Sequence, residues 1–311
     1  MAPSNLPYLD GDTVHRLAPY DLLVQALHDG HLEPEPAVRR VVYAPEGRDE
    51  MFLGLPAWAP DEAIGVKLVT VFPDNLAKGK PSVQAVYVLF DGEDGKPLCA
   101  MDGTALTYRK TSCDSALGSR FLSRPDARTL LMVGAGGMAR HLIAAHRVVR
   151  PSLQTVLVWN RTRERAQQLA AAVGGEVAGD LDQAVSEADI ISSATMTQEP
   201  LIKGEMIRPG THLDLVGAYL PDHREVDDEV IRRAKIYVDS HLAAVEESGD
   251  LVIPLNTGLI THDDIRGDLY ALCQGRVDGR SNPSDITVFE NGGGGHLDLM
   301  TARYVWRSFS D

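Results

Sequence analysis

Residues 129–149 read TLLMVGAGGMARHLIAAHRVV, and this stretch decides the fold. TLLMVGA (129–135) reads as a strand, its apolar run having the composition of one buried on both faces of a parallel sheet. The run breaks at GAGGMA (134–139), which fits the G-x-G-x-x-G/A pattern, and resumes with apolar residues at helical spacing. In such a strand–turn–helix setting, Gly134 permits the tight turn and Gly136 lets backbone amides approach a pyrophosphate. Small Ala139 allows close helix–strand packing, while the helix N-terminus attracts negative phosphates. Gly134, Ala135, Gly136, Gly137, Met138 and Ala139 are therefore the candidate cradle of a dinucleotide.

Downstream, the same alternation continues through TVLVWN (155–160), ADIISSA (188–194), HLDLVGA (212–218) and KIYVDS (235–240), with RERAQQLAAAV reading as a helix between the first two. Strands alternating with helices in this order predict an α/β, Rossmann-type parallel sheet. A further helix is expected near Pro221, capped by Asp222 with Glu225 reaching back. The end of the second strand bears on the cofactor. An NAD site usually places an acidic residue there for the ribose hydroxyls, and that carboxylate would repel a 2′-phosphate. Here Asn160, Arg161, Thr162, Arg163 and Arg165 stand instead, an amide, a hydroxyl and guanidinium groups that can hold a phosphate. Their bland alternative is the solvated first turn of a helix. NADP(H) is the expected preference, with NAD(H) possible.

Upstream, the first ~120 residues read as antiparallel strands, AIGVKLVTVF and SVQAVYVLFD, separated by PDNLAKGKP and followed by the turn DGEDGKP. That is a separate α+β domain. The helical segment HLDLMTARYVW follows four glycines, Gly292 to Gly295, and is expected to return to it. At 311 residues, 44% hydrophobic and 24% charged, the chain is long enough for two domains. A net charge of −14 argues against nucleic acid or an anionic membrane as partner, so an anionic substrate needs a local cluster of cations. Three scattered cysteines, Cys99, Cys113 and Cys273, fit a reducing compartment. No apolar run approaches the ~20 residues of a membrane span, and no leader is apparent, so a cytoplasmic location is expected. No cluster has metal-ligand spacing, and no metal is expected.

Seven segments together resemble the ornithine cyclodeaminase and mu-crystallin family: GVKLVT (65–70), GKPSVQAVYVLFD, TYRKTSCDSAL (107–117), VGAGGMARHL, VWNRT, GAYLPDHREVDDE (217–229) and VFENGGGGHLDLMTA (288–302). The resemblance implies a Rossmann dinucleotide-binding domain (119–289) inserted into a discontinuous α+β domain (1–118 with 290–311) that binds substrate and forms a homodimer. It also implies that Arg39, Lys67 and position 110 hold the carboxylate of a small imino or amino acid. Position 110 is Lys where the family pattern has Arg, which keeps the charge and loses the bidentate fork. Arg109 beside it points about 100° away on a helix and is no automatic replacement. Further cofactor contacts are implied at Thr111, Thr195, Val216, Gly217 and Asn291.

Within the family, cyclodeaminases carry a carboxylate just after the strand matched by HLDLVGA, where this chain has Tyr219. Without that acid the cyclising reaction lacks its general base. The GAxxPDxRE form looks like mu-crystallin and the cyclic-ketimine reductases, which implies reduction of Δ1-pyrroline-2-carboxylate or Δ1-piperideine-2-carboxylate to proline or pipecolate. Alanine-dehydrogenase-like activity, ornithine cyclodeamination, and a dinucleotide-keeping ligand-binding protein with little catalysis remain the rivals.

The imine carbon accepts hydride only when its nitrogen is protonated or strongly hydrogen-bonded. Lys67 is the candidate proton source and carboxylate partner, since a desolvated lysine beside other cations has a lowered pKa. A lone lysine in such a strand is otherwise an outward-facing residue. His296 is a second possible acid, or a surface residue starting a helix. Asp214 and Asp239, near strand ends, read at least as well as acceptors of backbone bonds. Gly292 to Gly295 either lets the backbone approach a nicotinamide or is a connector.

Overall fold

A computed structural model describes residues 6–218 and 220–310, in two compact units. The first comprises residues 1–110 and 294–311, and the second, residues 111–293, interrupts it in sequence.

The first unit carries β1 (Tyr8–Leu9), α1 (Gly11–Leu17), α2 (Tyr20–Gly30), β2 (Ala37–Val38), β3 (Val41–Tyr43), β4 (Met51–Ala59), β5 (Ala63–Val71), β6 (Val83–Asp91), β7 (Pro97–Asp102) and the start of α3 (Gly103–Leu122). The sheet runs β1-β7-β6-β5-β4-β2 with β3 also on β4, and only β1 pairs in parallel. Strand alternation gives it two unlike faces. Ala57, Ala63, Lys67, Tyr87, Leu89, Cys99 and Met101 are buried, while Phe52 and Trp58 on the other face are exposed. The ladder to β4 lapses at Arg39 and Arg40 for a covalent reason. Arg39 N donates to Pro56 O at 3.1 Å, but proline has no N–H to return.

The second unit runs β8 (Thr129–Val133), α4 (Ala139–Val149), β9 (Thr155–Trp159), α5 (Arg163–Val173), β10 (Glu176–Val177), α6 (Leu181–Glu187), β11 (Ile190–Ser193), β12 (His212–Leu215), α7 (Asp228–Arg233), β13 (Ala234–Val238), α8 (Gly249–Thr257), β14 (Ile265–Asp268), α9 (Leu269–Cys273) and β15 (Ile286–Glu290). All eight strands are parallel, in the order β10-β9-β8-β11-β12-β15-β13-β14. Successive residues of β8 feed two cores. Leu130 and Met132 pack with Leu142, Ile143, Ala166 and Ala170 of α4 and α5, whereas Leu131 and Val133 pack with Val185, Leu213 and Val230. That two-sided burial is why the run is apolar without alternation, each such side chain contributing about 1.5–3 kcal/mol. From β15 the chain returns to the first unit as α10 (Gly295–Ser310).

Three expectations need correction. No helix starts at Pro221; α7 begins at Asp228, capped by Asp227 accepting from Val230 N at 3.0 Å. Glu225 caps nothing there, because burial commits it elsewhere. The parallel sheet also holds β10, β14 and β15, short strands beyond the five read from sequence. Finally, the units divide at 110/111 and 293/294, not at 118/119 and 289/290. The reason lies in α3: Gly103 abuts Ala85 of β6, whereas Gly118 abuts the Phe289 ring of β15.

Candidate active site

In the α+β unit, Lys67 and Lys110 converge on one carboxylate that the sequence reading did not single out. Lys67 Nζ lies 2.9 Å from Asp298 Oδ2, and Lys110 Nζ lies 3.4 Å from Oδ1 and 3.2 Å from Gly294 O. Asp298 is fully buried on α10, and Lys67 is 6% exposed. The glycine run therefore brings α10 back with its acid between two cations. Burial drives the Lys67 ammonium down to a pKa of about 8, helped by the charge of Lys110 and opposed by Asp298. The outward-facing alternative for Lys67 is thereby overturned.

The register places Leu55, Lys67, Tyr87 and Met101 in one row. Gly65 makes room for that row: a Cβ there would lie 2.0 Å from the Tyr87 hydroxyl. Burial and the neighbouring Asp298 push the Tyr87 phenol well up, so it stays protonated.

His296 is buried, not a surface residue, with its ring edge-on to His31 at 5.7 Å. Burial, then His31 and Lys110, hold its pKa well below the usual value, which leaves a neutral imidazole in place of the suggested acid. Arg109 turns toward α1 and α2, donating to His15 Nδ1 and O at 3.0 Å and lying 4.0 Å over the Tyr20 ring. Arg39 is exposed opposite Pro56, and by alternation its neighbour Arg40 shares the row of Lys67. Lys67 and Lys110 are thus gathered, and Arg39 is not among the groups on Asp298.

In the parallel-sheet unit, Gly134 has φ +103, and a Cβ would meet Ala194 O at 2.8 Å. Only glycine suits that position. A Cβ on exposed Gly136 would meet nothing within 4 Å, leaving backbone open to a ligand. Gly137 is exposed, Met138 half-buried, and Ala139 buried at the start of α4. Asn160 Oδ1 accepts from Ala135 N at 3.1 Å and its Nδ2 donates to Thr162 O at 2.9 Å. Its amide therefore locks the glycine turn, while Arg161, Thr162, Arg163 and Arg165 stand exposed.

Asn291, after β15, donates to Thr111 O at 3.0 Å and Ser115 Oγ at 2.9 Å. Its buried Oδ1 accepts from none of the described residues. Thr195 follows β11, and Val216 and Gly217 follow β12. All three donate to Glu225, which sequence reading had assigned to a helix cap. Asp214 accepts from Ser192 Oγ and His146 Nε2, and Asp239 from Ser240 N and Gly293 N, so both serve structure. Tyr219 lies outside the described residues. An open turn at Gly136, exposed arginines after β9 and an orphan acceptor on Asn291 fit a dinucleotide at the carboxyl ends of these strands.

The profile of the ornithine cyclodeaminase/mu-crystallin family matches residues 25–311. A Delta(1)-pyrroline-2-carboxylate reductase of Paracoccus denitrificans is 42% identical over 98% of this chain and 97% of its own. The ketimine reductase mu-crystallin of Rattus norvegicus is 37% identical over 88% of this chain and 85% of its own. Among solved structures, the Thermococcus litoralis Delta(1)-pyrroline-2-carboxylate reductase in complex with NADH and L-proline superposes with a TM-score of 0.91. It is 31% identical, covering 97% of each chain.

Proposed function

The chain belongs to the ornithine cyclodeaminase/mu-crystallin family, and from that premise we propose that it reduces a cyclic ketimine 2-carboxylate to the cyclic amino acid. Δ1-pyrroline-2-carboxylate giving proline and Δ1-piperideine-2-carboxylate giving pipecolate are the substrates intended. The observation that carries this reading is the buried pair of lysines, Lys67 and Lys110, held on Asp298. In an acidic chain, it is a local store of positive charge suited to one small carboxylate.

A reduced nicotinamide dinucleotide, when bound, supplies the hydride that adds to the imine carbon. Gly134 to Ala139, Asn160, Arg161, Thr162, Arg165, Thr195, Val216, Gly217, Asn291 and Thr111 are the residues proposed to hold it. Lys67 and Lys110 dock the substrate carboxylate, which neutralises part of their charge and lets a cationic imine nitrogen exist beside them. Arg39, the third partner that the resemblance implied, lies by alternation on the opposite face of the strand, so Arg40, in the row of Lys67, is proposed in its place. With a pKa of about 8, Lys67 is mostly protonated at neutrality, yet gives up its proton more readily than an ordinary lysine. The balance is one hydride and one proton added across C=N.

Arg161 and Arg165 support NADPH as the preferred reductant. The exposed apolar face bearing Tyr43, Phe52 and Trp58 supports a homodimer.

The deciding assay follows NADPH and NADH oxidation with each cyclic ketimine, with pyruvate plus ammonium, and with ornithine. Turnover on a ketimine with little on pyruvate plus ammonium is the expected result. Ammonia and proline from ornithine without net cofactor turnover would overturn it, as would tight NADPH binding without turnover on any imino acid.

A further inference from the structure

One buried carboxylate ties together the loops that follow β11 and β12. Glu225 Oε1 accepts from Ser193 Oγ at 2.6 Å, Thr195 N at 2.7 Å and Thr195 Oγ1 at 2.6 Å. Its Oε2 accepts from Val216 N at 3.2 Å and Gly217 N at 2.7 Å. Glu225 is held in turn from below: its own N–H and that of Val226 donate to Asp250 Oδ1 at 2.9 and 3.1 Å. The two loops also touch directly. A Cβ on Gly217 would fall 1.8 Å from Thr195 O and 2.6 Å from Glu225 Oε1, so only glycine lets them close.

We propose that Glu225 is a positioning residue for the nicotinamide half of the dinucleotide site, acting through Thr195, Val216 and Gly217. The inference rests on the dinucleotide reading of Gly134 and deepens it. In a doubly wound sheet the two halves of the cofactor lie on either side of the strand that carries the glycine turn. Here β9 and β10 flank β8 on one side, and β11 and β12 on the other. The exposed arginines after β9 mark the adenosine side, which leaves the Glu225 loops to the nicotinamide side. There the N–H groups of Thr195, Val216 and Gly217 are already spent on Glu225. Those loops accordingly offer carbonyl oxygens, acceptors that match the –NH2 of the carboxamide.

A carboxylate takes donors on both oxygens, whereas a glutamine presents an –NH2 to one set of N–H groups and repels it. Glu225→Gln therefore releases one loop and leaves the glycine turn alone. The test compares Kd values, by fluorescence titration or calorimetry, for NADPH and NADH and for ADP-ribose and its 2′-phosphate, which lack the nicotinamide. Expected is a rise of about tenfold or more for the whole dinucleotides, with the half-ligands unchanged. Equal weakening of both, which general damage to the fold produces, overturns the proposal, as does no change in either. Should Glu225→Gln fail to fold, Ser193→Ala decides: removing one bond predicts a rise of about threefold for NADPH and NADH only, and no rise overturns it. A wild-type protein that binds NADH but reduces no ketimine refutes the proposed reaction and leaves this comparison intact.

Discussion

Lys67 and Asp298, 231 residues apart in sequence, meet inside the α+β unit with Nζ 2.9 Å from Oδ2 and 3.1 Å from Oδ1. Burial lowers the Lys67 pKa to about 8, so the ammonium proposed to hold the substrate carboxylate and give the proton is present below that value. Activity is expected to fall as pH rises through about 8, tenfold per unit in kcat/KM at the alkaline limb. Stability moves the other way for this group. Between about 8 and 10.5 the unfolded chain keeps a proton the folded one has released, so folding gains as pH rises. An alkaline loss of activity without loss of secondary structure is the measurable signature.

Lys67→Met removes the charge and the proton together while keeping the length of the side chain. Turnover on the preferred ketimine is expected to drop by about 10²–10⁴-fold, with the Kd for NADPH unchanged. A variant retaining most of its kcat would take Lys67 out of the chemistry.

Asp298→Asn leaves two buried ammonium groups facing an amide. Breaking a buried ion pair on one side costs about 3–5 kcal/mol, so the denaturation midpoint of the protein is expected to fall clearly. The alkaline limb of the pH profile should also shift to lower pH, because Asp298 is the group that raises the Lys67 pKa against burial. Both shifts are read on the same preparation, by chemical denaturation and by kcat/KM against pH.

Much of the scaffold is legible locally. The bounds of α5 coincide with RERAQQLAAAV, and β8 fills the first five residues of the strand read as TLLMVGA (129–135), because periodicity and caps are properties of neighbouring residues. Glu225 shows the limit. In PDHRE it reads as the back-reaching partner of a cap, but its donors lie up to 32 residues upstream, across two strand ends. Asp298 fails for the same reason, since its lysines come from β5 and α3. A carboxylate on the apolar face of HLDLM was the one available hint that burial and a partner awaited it.

Cofactor choice separates two neighbouring residues. Asn160 holds Ala135 N through its amide, so Asn160→Ala is expected to weaken NADPH and NADH alike, each by several-fold. Exposed Arg161 is the residue proposed to meet a 2′-phosphate, and Arg161→Ala is expected to weaken NADPH by about tenfold or more and leave NADH unchanged. Paired titrations of both dinucleotides on the two variants check this, and equal effects of Arg161→Ala would remove it from the phosphate site.

The glycine turn offers the sharpest separation of fold from binding. At Gly134 a methyl group meets Ala194 O at 2.8 Å with φ at +103, so Gly134→Ala is strained on both counts. It is expected to lose about 1–3 kcal/mol of stability along with cofactor affinity. Two residues on, a methyl group at Gly136 meets no protein atom within 4 Å. Gly136→Ala should therefore leave the melting temperature unchanged, while its methyl stands where the pyrophosphate must approach the backbone. Thermal unfolding without ligand, set beside the Kd for NADPH, checks both. A Gly136→Ala protein that binds NADPH as tightly as the wild type would place the pyrophosphate elsewhere than on this turn.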